Sequence, residues 1–275
     1  MKRAFFIVII MIFPVFYISV YSNRVIVVSY IDIEEPAYTG ETASLELLTY
    51  NIHHGVGLDG RLNLDRIARV IDKSGADIIG LNEVDMRRRR SGFKNQTAYL
   101  AKKLNMNYAY GPGKNGFPGS YGNAILTRYP IISTENIALP QSNRDTKESR
   151  SLLKVEIEIR DKRSIYILLT HLSLDRIERE EQFSWINNYI KNLNKPCILM
   201  GDFNAGIYEL QTYLGNDEKG LRPLLSGVKT YPASNPVSGI DLFFSNYQME
   251  VLDGYAIRTN ASDHLPLYLK LRIFT

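Results

Sequence analysis

The stretch ILMGDFNA at residues 198–205 is a three-residue apolar run that ends abruptly in Gly201, Asp202 and Asn204. So short a run, bounded by turn residues, reads as a buried strand rather than a helix. Its polar residues fall at the strand end, and the same construction recurs along the chain. LLTYN (47–51) ends on Asn51, ADIIGLNE (76–83) on Asn82 and Glu83, and ILLTH (167–171) on His171, while SDHLPL (262–267) sets Asp263 and His264 just before an apolar run. Strands packed in a sheet gather their ends along one rim, so these groups can converge although they are far apart in sequence.

Around these runs the chain alternates short apolar and amphipathic stretches. Strands are predicted over Leu45–Tyr50, Asp77–Leu81, Ala124–Thr127, Leu152–Ile159, Ile165–Thr170, Cys197–Met200, Leu242–Phe244, Met249–Ile257 and Leu265–Ile273. Asp161-Lys162-Arg163 forms a hairpin turn. Helices are predicted over Leu64–Lys73, Gln96–Asn105 and Arg176–Leu193, with Trp185 as core packing. This is α/β punctuation without internal repeats. A length of 275 residues, 45% hydrophobic and 23% charged, suits one large domain. A net charge of +4 favours an anionic substrate or surface but falls short of a dedicated nucleic-acid binder. The single cysteine, Cys197, excludes an intramolecular disulfide and sits in the apolar run Pro196–Met200, the setting of a buried hydrophobe rather than a nucleophile.

At the N-terminus, Lys2 and Arg3 precede an uncharged apolar stretch, Ala4–Tyr21. At about 1.5 Å per residue it covers roughly 27 Å, enough for a thin bilayer. No small-x-small cleavage site follows, so an uncleaved anchor is preferred over a removed signal peptide. The basic flank predicts a cytoplasmic N-terminus and places everything after Arg24 outside the cytoplasm. The expected organisation is an anchor or signal segment at 1–24, a stalk or linker at 25–43 and a catalytic domain at 44–275. Val25–Ile33 reads as either a strand or part of the stalk.

Carboxylate and amide oxygens dominate the strand-end set, and no HExxH or paired-cysteine pattern is present. Such donors suit Mg2+ (or Mn2+) better than zinc. All four histidines, His53, His54, His171 and His264, lie at or beside the same strand ends.

Taken in order, LLTYNIHHG (47–55), ADIIGLNEVD (76–85), YGNAILTRYPI (121–131), ILLTHLSLD (167–175), ILMGDFNA (198–205), GIDLFF (239–244) and SDHLPL (262–267) resemble the endonuclease/exonuclease/phosphatase superfamily. The resemblance implies a deoxyribonuclease I-like fold, a four-layer α/β sandwich of two packed mixed β-sheets flanked by helices. It implies that Glu83 holds the metal, with Asn51 and Asp263 as further oxygen ligands or water-mediated contacts. Asp202 then orients or deprotonates the attacking water, and Asn204 holds the phosphate or that water. His264 contacts the scissile phosphate, Asp241 fixes its tautomer, and His171 stabilises the transition state. Asn123 and Arg150 match substrate-phosphate positions, although Asn123 also reads as a turn residue after Gly122. His53 and His54 read equally as site lining or loop packing. Arg87–Arg90 reads as a solvated face or as a contact for an anionic substrate. Asn82 replaces the Gln most common before the metal glutamate, one methylene shorter, which puts its supporting contact in question.

The expected activity is a divalent-metal-dependent hydrolase of phosphate esters. Lipid head groups or small phosphate esters are preferred over nucleic acid, because the loops at 111–122 and 139–148 lack dense basic residues with interleaved aromatics. The alternatives are an extracytoplasmic nuclease and a membrane-anchored binding protein that has lost turnover. No obligate protein partner is inferred.

Overall fold

A computed structural model describes residues 26–28, 42–115, 118–141, 149–160, 162–214 and 220–274. The apolar segment Ala4–Tyr21 lies outside them, as do the polar residues at 142–148. Among the described residues no helix is long and apolar enough to cross a membrane.

The first sheet holds β1 (Ile26–Val28), β2 (Thr42–Asn51), β3 (Ile78–Met86), β4 (Asn107–Asn115), β5 (Ser120–Thr127), β12 (Met249–Ala256) and β13 (Leu267–Phe274), in the order β1-β4-β5-β3-β2-β13-β12. The second holds β6 (Ile131–Ala138), β7 (Ser151–Arg160), β8 (Arg163–His171), β9 (Cys197–Asp202), β10 (Arg222–Pro223) and β11 (Asp241–Ser245), in the order β10-β11-β9-β8-β7-β6. Each sheet is mixed, with β2–β3 and β8–β9 parallel and the remaining pairs antiparallel. The sheet therefore begins inside the segment expected to be a stalk: Ile26–Val28 pair with Tyr108–Tyr110 as an edge strand.

Period-two alternation explains the layering. Leu45, Leu47 and Ile78 face Ile167, Leu169, Ile198, Met200 and Phe243 between the sheets. Their neighbours Leu48, Tyr50, Ile79 and Leu81 face the other way, onto α1 (Leu64–Ser74) and α2 (Gln96–Leu104). Leu168, Cys197 and Leu199 likewise meet α3 (Arg176–Lys191) and α4 (Ile207–Leu214). Both faces of these central strands are buried, so they read as continuous apolar runs. The result is the expected four-layer sandwich. At Gly80 the sheets approach closely, and a Cβ would stand 2.7 Å from Met200 Cε and 2.8 Å from Leu169 Cδ1.

Register aligns the polar strand ends. Asn51 pairs with Asn82 across β2–β3, and Asp202 pairs with His171 on one side and Asp241 on the other. The hairpin turn falls where expected, with Arg160 paired to Arg163 and Lys162 at φ +63.

Candidate active site

The site forms where the ends of β2 and β3 meet those of β8, β9 and β11. Its first device is a β-bulge. Leu81 pairs with Ala124 and Val84 with Gly122, so Asn82 and Glu83 together oppose Asn123. The expectation that Glu83 follows its strand is corrected: it lies within β3, with the left-handed φ of +62 that the extra residue imposes. The bulge sends the two side chains to different tasks. Asn82 is fully buried and spans the sandwich, its Nδ2 donating to Asn123 Oδ1 (2.8 Å) and to the Thr170 carbonyl (2.9 Å), while its Oδ1 accepts from Asp202 N (3.0 Å). The shorter amide reaches Asn123, Thr170 and Asp202, and none of these contacts is to Glu83.

The second device is the end of β9. Gly201 has φ +139, and a Cβ there would lie 2.0 Å from the Thr170 carbonyl oxygen, so only glycine fits. It delivers Asp202, buried, with Oδ1 accepting from Asn204 N (2.9 Å) and Oδ2 from Asn51 Nδ2 (2.9 Å). The same Oδ2 stands 3.6 Å from both His171 Nε2 and His264 Nε2. Those distances exceed hydrogen-bond length, so neither Nε2 is consumed by the carboxylate. Asn204 does not share an extended backbone with Asp202 as expected. It follows the strand at φ +50, and its Nδ2 donates to the Leu172 carbonyl (2.8 Å).

His264 Nδ1 is 2.9 Å from Asp241 Oδ2, which fixes the ring. Burial opposes a charge on this imidazole, yet the charge and hydrogen bond of Asp241, with Asp202 and Asp263 behind them, prevail and raise it from 6.5 to about 10. Asp202 is pushed up to about 6 by burial first and the Asp241 charge second, against His264 and the Asn51 and Asn204 hydrogen bonds. His171 is held well below its ordinary value by burial first, then by the charges of Arg150 and His264, and is neutral.

Beside this group, Glu83, His53 and His54 bring ligand atoms within 4.8 Å of one another. Asp263 Oδ1 lies 4.0 Å from His53 Nδ1 and accepts from Ser262 Oγ (3.1 Å). Asn51 is turned to Asp202 and to His53 N, which donates to its Oδ1 at 3.1 Å. This acidic and imidazole set fits a divalent ion. It is richer in nitrogen than the all-oxygen set expected, because His53 and His54 turn into it. Asp202, Asp241 and His264 also lie within 4.8 Å of one another, but the Asp241 bond already engages His264 Nδ1.

Asn123 is a buried strand residue rather than a turn, accepting from Asn82 and donating to the Ser151 carbonyl (3.3 Å). With Arg150, His171, Tyr121 and Gly113 it lines a shallow open cleft. Of the arginine run, Arg90 grips buried Asp85 through Nε (2.8 Å) and Nη2 (2.7 Å) and lies over the Tyr121 ring. This is a structural clamp rather than a free cation. Cys197 is buried with its thiol pushed up to about 12, as a packing residue should be.

Tyr231 was not anticipated. Its ring lies 4.7 Å from that of His264, on a loop tied down by Leu265 N to the Thr230 carbonyl (2.8 Å) and Ala233 N to the Asp263 carbonyl (2.7 Å). The available signal was TYP (230–232), an aromatic between turn formers shortly before GIDLFF.

Residues 48–264 match the Endonuclease/Exonuclease/phosphatase family. The Escherichia coli (strain K12) protein YbhP is 26% identical over 248 residues, 84% of this chain and 97% of its own length. An endonuclease/exonuclease/phosphatase of Beutenbergia cavernae has a similar structure at TM-score 0.69 and 24% identity, covering 84% of this chain and 72% of the other. A mannosyl-6-phosphatase of Bacteroides thetaiotaomicron shares the fold at TM-score 0.67 and 18% identity, with 82% and 99% covered.

Proposed function

Because the chain belongs to the Endonuclease/Exonuclease/phosphatase family, we propose that it is a divalent-metal-dependent hydrolase of phosphate esters, acting on lipid head groups or small phosphate esters. The observation that carries this reading is the single oxygen, Asp202 Oδ2, set 2.9 Å from Asn51 Nδ2 and 3.6 Å from the Nε2 atoms of both His171 and His264.

Asp202 takes the proton of the attacking water, a role its raised pKa suits. His264, positively charged through its bond to Asp241, pairs with a non-bridging phosphoryl oxygen as negative charge grows there. Neutral His171 donates a hydrogen bond from the other side. Asn51 holds the Asp202 carboxylate in place from the opposite sheet. Glu83, with Asp263 nearby, would hold a divalent ion, which when bound polarises the phosphoryl oxygen and offsets charge on the leaving oxygen.

One observation favours lipid esters over nucleic acid. Leu174, Ile177 and Tyr208 are exposed apolar side chains that follow His171 and Asn204 within a few residues along the chain, as residues meeting an acyl surface would. The Lys2, Arg3 and Ala4–Tyr21 sequence supports membrane tethering with the catalytic domain outside the cytoplasm. The full chain, incubated in parallel with sphingomyelin vesicles, sugar phosphates and plasmid DNA, with and without Mg2+ or Mn2+, tests the reading. Cleavage of DNA alone would overturn the substrate preference. No metal-dependent turnover, or turnover untouched by Asp202→Ala, would overturn the activity itself.

A further inference from the structure

His53 and His54 form a 3-10 turn directly after β2, with φ of +44 and +45. Left-handed backbone costs a residue other than glycine or asparagine roughly 1–2 kcal/mol, and consecutive examples are rare. Here the conformation is held from both sides. The Asn51 side chain accepts from His53 N (3.1 Å), and fully buried Gln96 donates to the His54 carbonyl (2.7 Å) while accepting from Asp85 N (2.9 Å). The effect is to bring both imidazoles close to Glu83, which the bulge places as an extra residue within β3. Three positions with left-handed backbone, two in the turn after β2 and one in the bulge of β3, therefore serve one meeting point.

Two ligands on opposite sides of an ion at about 2.1 Å each stand about 4.2 Å apart, so donor atoms within 4.8 Å of one another enclose such an ion after small side-chain rotations. His54 Nδ1 is buried and has no hydrogen-bond partner, and His53 is half exposed, which leaves a way in from solvent. Asp263 Oδ1, 4.0 Å from His53 Nδ1, supplies a second carboxylate at the margin.

We propose that His53 and His54 are direct nitrogen ligands alongside Glu83, making this a mixed imidazole and carboxylate centre that prefers a first-row transition ion such as Mn2+ or Co2+ over Mg2+. Mg2+ demands oxygen ligands and sheds water reluctantly, whereas imidazole suits the transition ions. The inference rests on the metal-dependent reading above and assigns the ligands that reading left open.

The test uses the full chain stripped with a chelator and titrated calorimetrically with Mn2+, Co2+ and Mg2+. Pulsed electron paramagnetic resonance then records 14N coupling to bound Mn2+. The informative variants are His53→Asn and His54→Asn, because asparagine tolerates the left-handed backbone and keeps an oxygen donor; thermal unfolding checks their folds. Expected are 14N couplings in the wild type, loss of one imidazole coupling in each variant, and Co2+ affinity lowered about tenfold or more with Mg2+ affinity little changed. Bound Mn2+ without 14N coupling, or parallel losses for Co2+ and Mg2+, would overturn the proposal. If Glu83→Gln abolished binding while the histidine variants bound normally, the metal-dependent activity would stand and the histidine assignment would fall. If the wild type bound no ion, both would fall.

Discussion

At the scale of single residues, Asp202 and His264 answer to each other and to Asp241. Asp202→Asn and His264→Gln should each lower kcat by about 10^2–10^4 while KM moves far less, as expected for groups engaged at the reacting phosphate. Steady-state kinetics on one small ester checks this. With Asp202 raised to about 6, kcat/KM should climb as pH rises through that value. Stability follows a different sign. The folded pKa of His264 is raised from 6.5 to about 10, so its contribution is fully present below 6.5 and is lost as pH rises through 10. The difference in thermal midpoint between wild type and His264→Gln should therefore narrow between pH 7 and 10, and a constant gap would contradict the assignment.

Among the elements, two backbone devices place the site. Gly201→Ala drives a Cβ to 2.0 Å from the Thr170 carbonyl oxygen, so β8 and β9 must part. The variant should lose about 3 kcal/mol or more and accumulate as insoluble protein, which expression and refolding yields would show. Asn82→Ala removes three buried hydrogen bonds, two of them between the sheets, and should cost about 3 kcal/mol, or roughly 6–12 °C in Tm by calorimetry. The central strands and three of the helices were legible because apolar period and caps agree there, as where Asn63 caps α1 at Arg66 N and Asp175 caps α3 at Glu178 N. Strand β4, NYAYGPGKN, was not legible: its glycines and proline spell a loop, and pairing with β1 and β5 overrides them. Edge strand β6 alternates poorly because much of it is exposed, and α4 is only eight residues long. In the site, strand-end polarity located Asp202 and His171, but no local pattern shows that a bulge turns Glu83 outward or that both histidines after β2 adopt left-handed backbone. Those features depend on partners 40 or more residues away, Asn123 for the bulge and Gln96 for the histidine turn.

For the whole molecule, the site is the junction between two sheets, with Glu83, His53 and His54 on one and Asp202 on the other. A bound ion, whose ligands Glu83, His53 and His54 meet only when β3 and the turn after β2 are folded together, therefore stabilises the folded chain and not the open one. At a hundred times Kd it should add about 2.7 kcal/mol, raising Tm by roughly 5–10 °C. Differential scanning fluorimetry across a metal series should show this rise in wild type and its absence in Glu83→Gln.

The position of β2 between β3 and β13 also sets an order of events. Its first partner follows within some thirty residues, but its second, Leu267–Phe274, is made only after the whole second sheet. On a ribosome the central strand must emerge, pair on one side and keep its other edge unsatisfied until the far end of the domain is synthesised. Closing so long a loop is slow, and an open edge of Leu45, Leu47 and Tyr50 invites aggregation meanwhile. Asp263 and His264 come immediately before that late strand, so the nascent chain is chemically silent until the step that also seals its exposed edge.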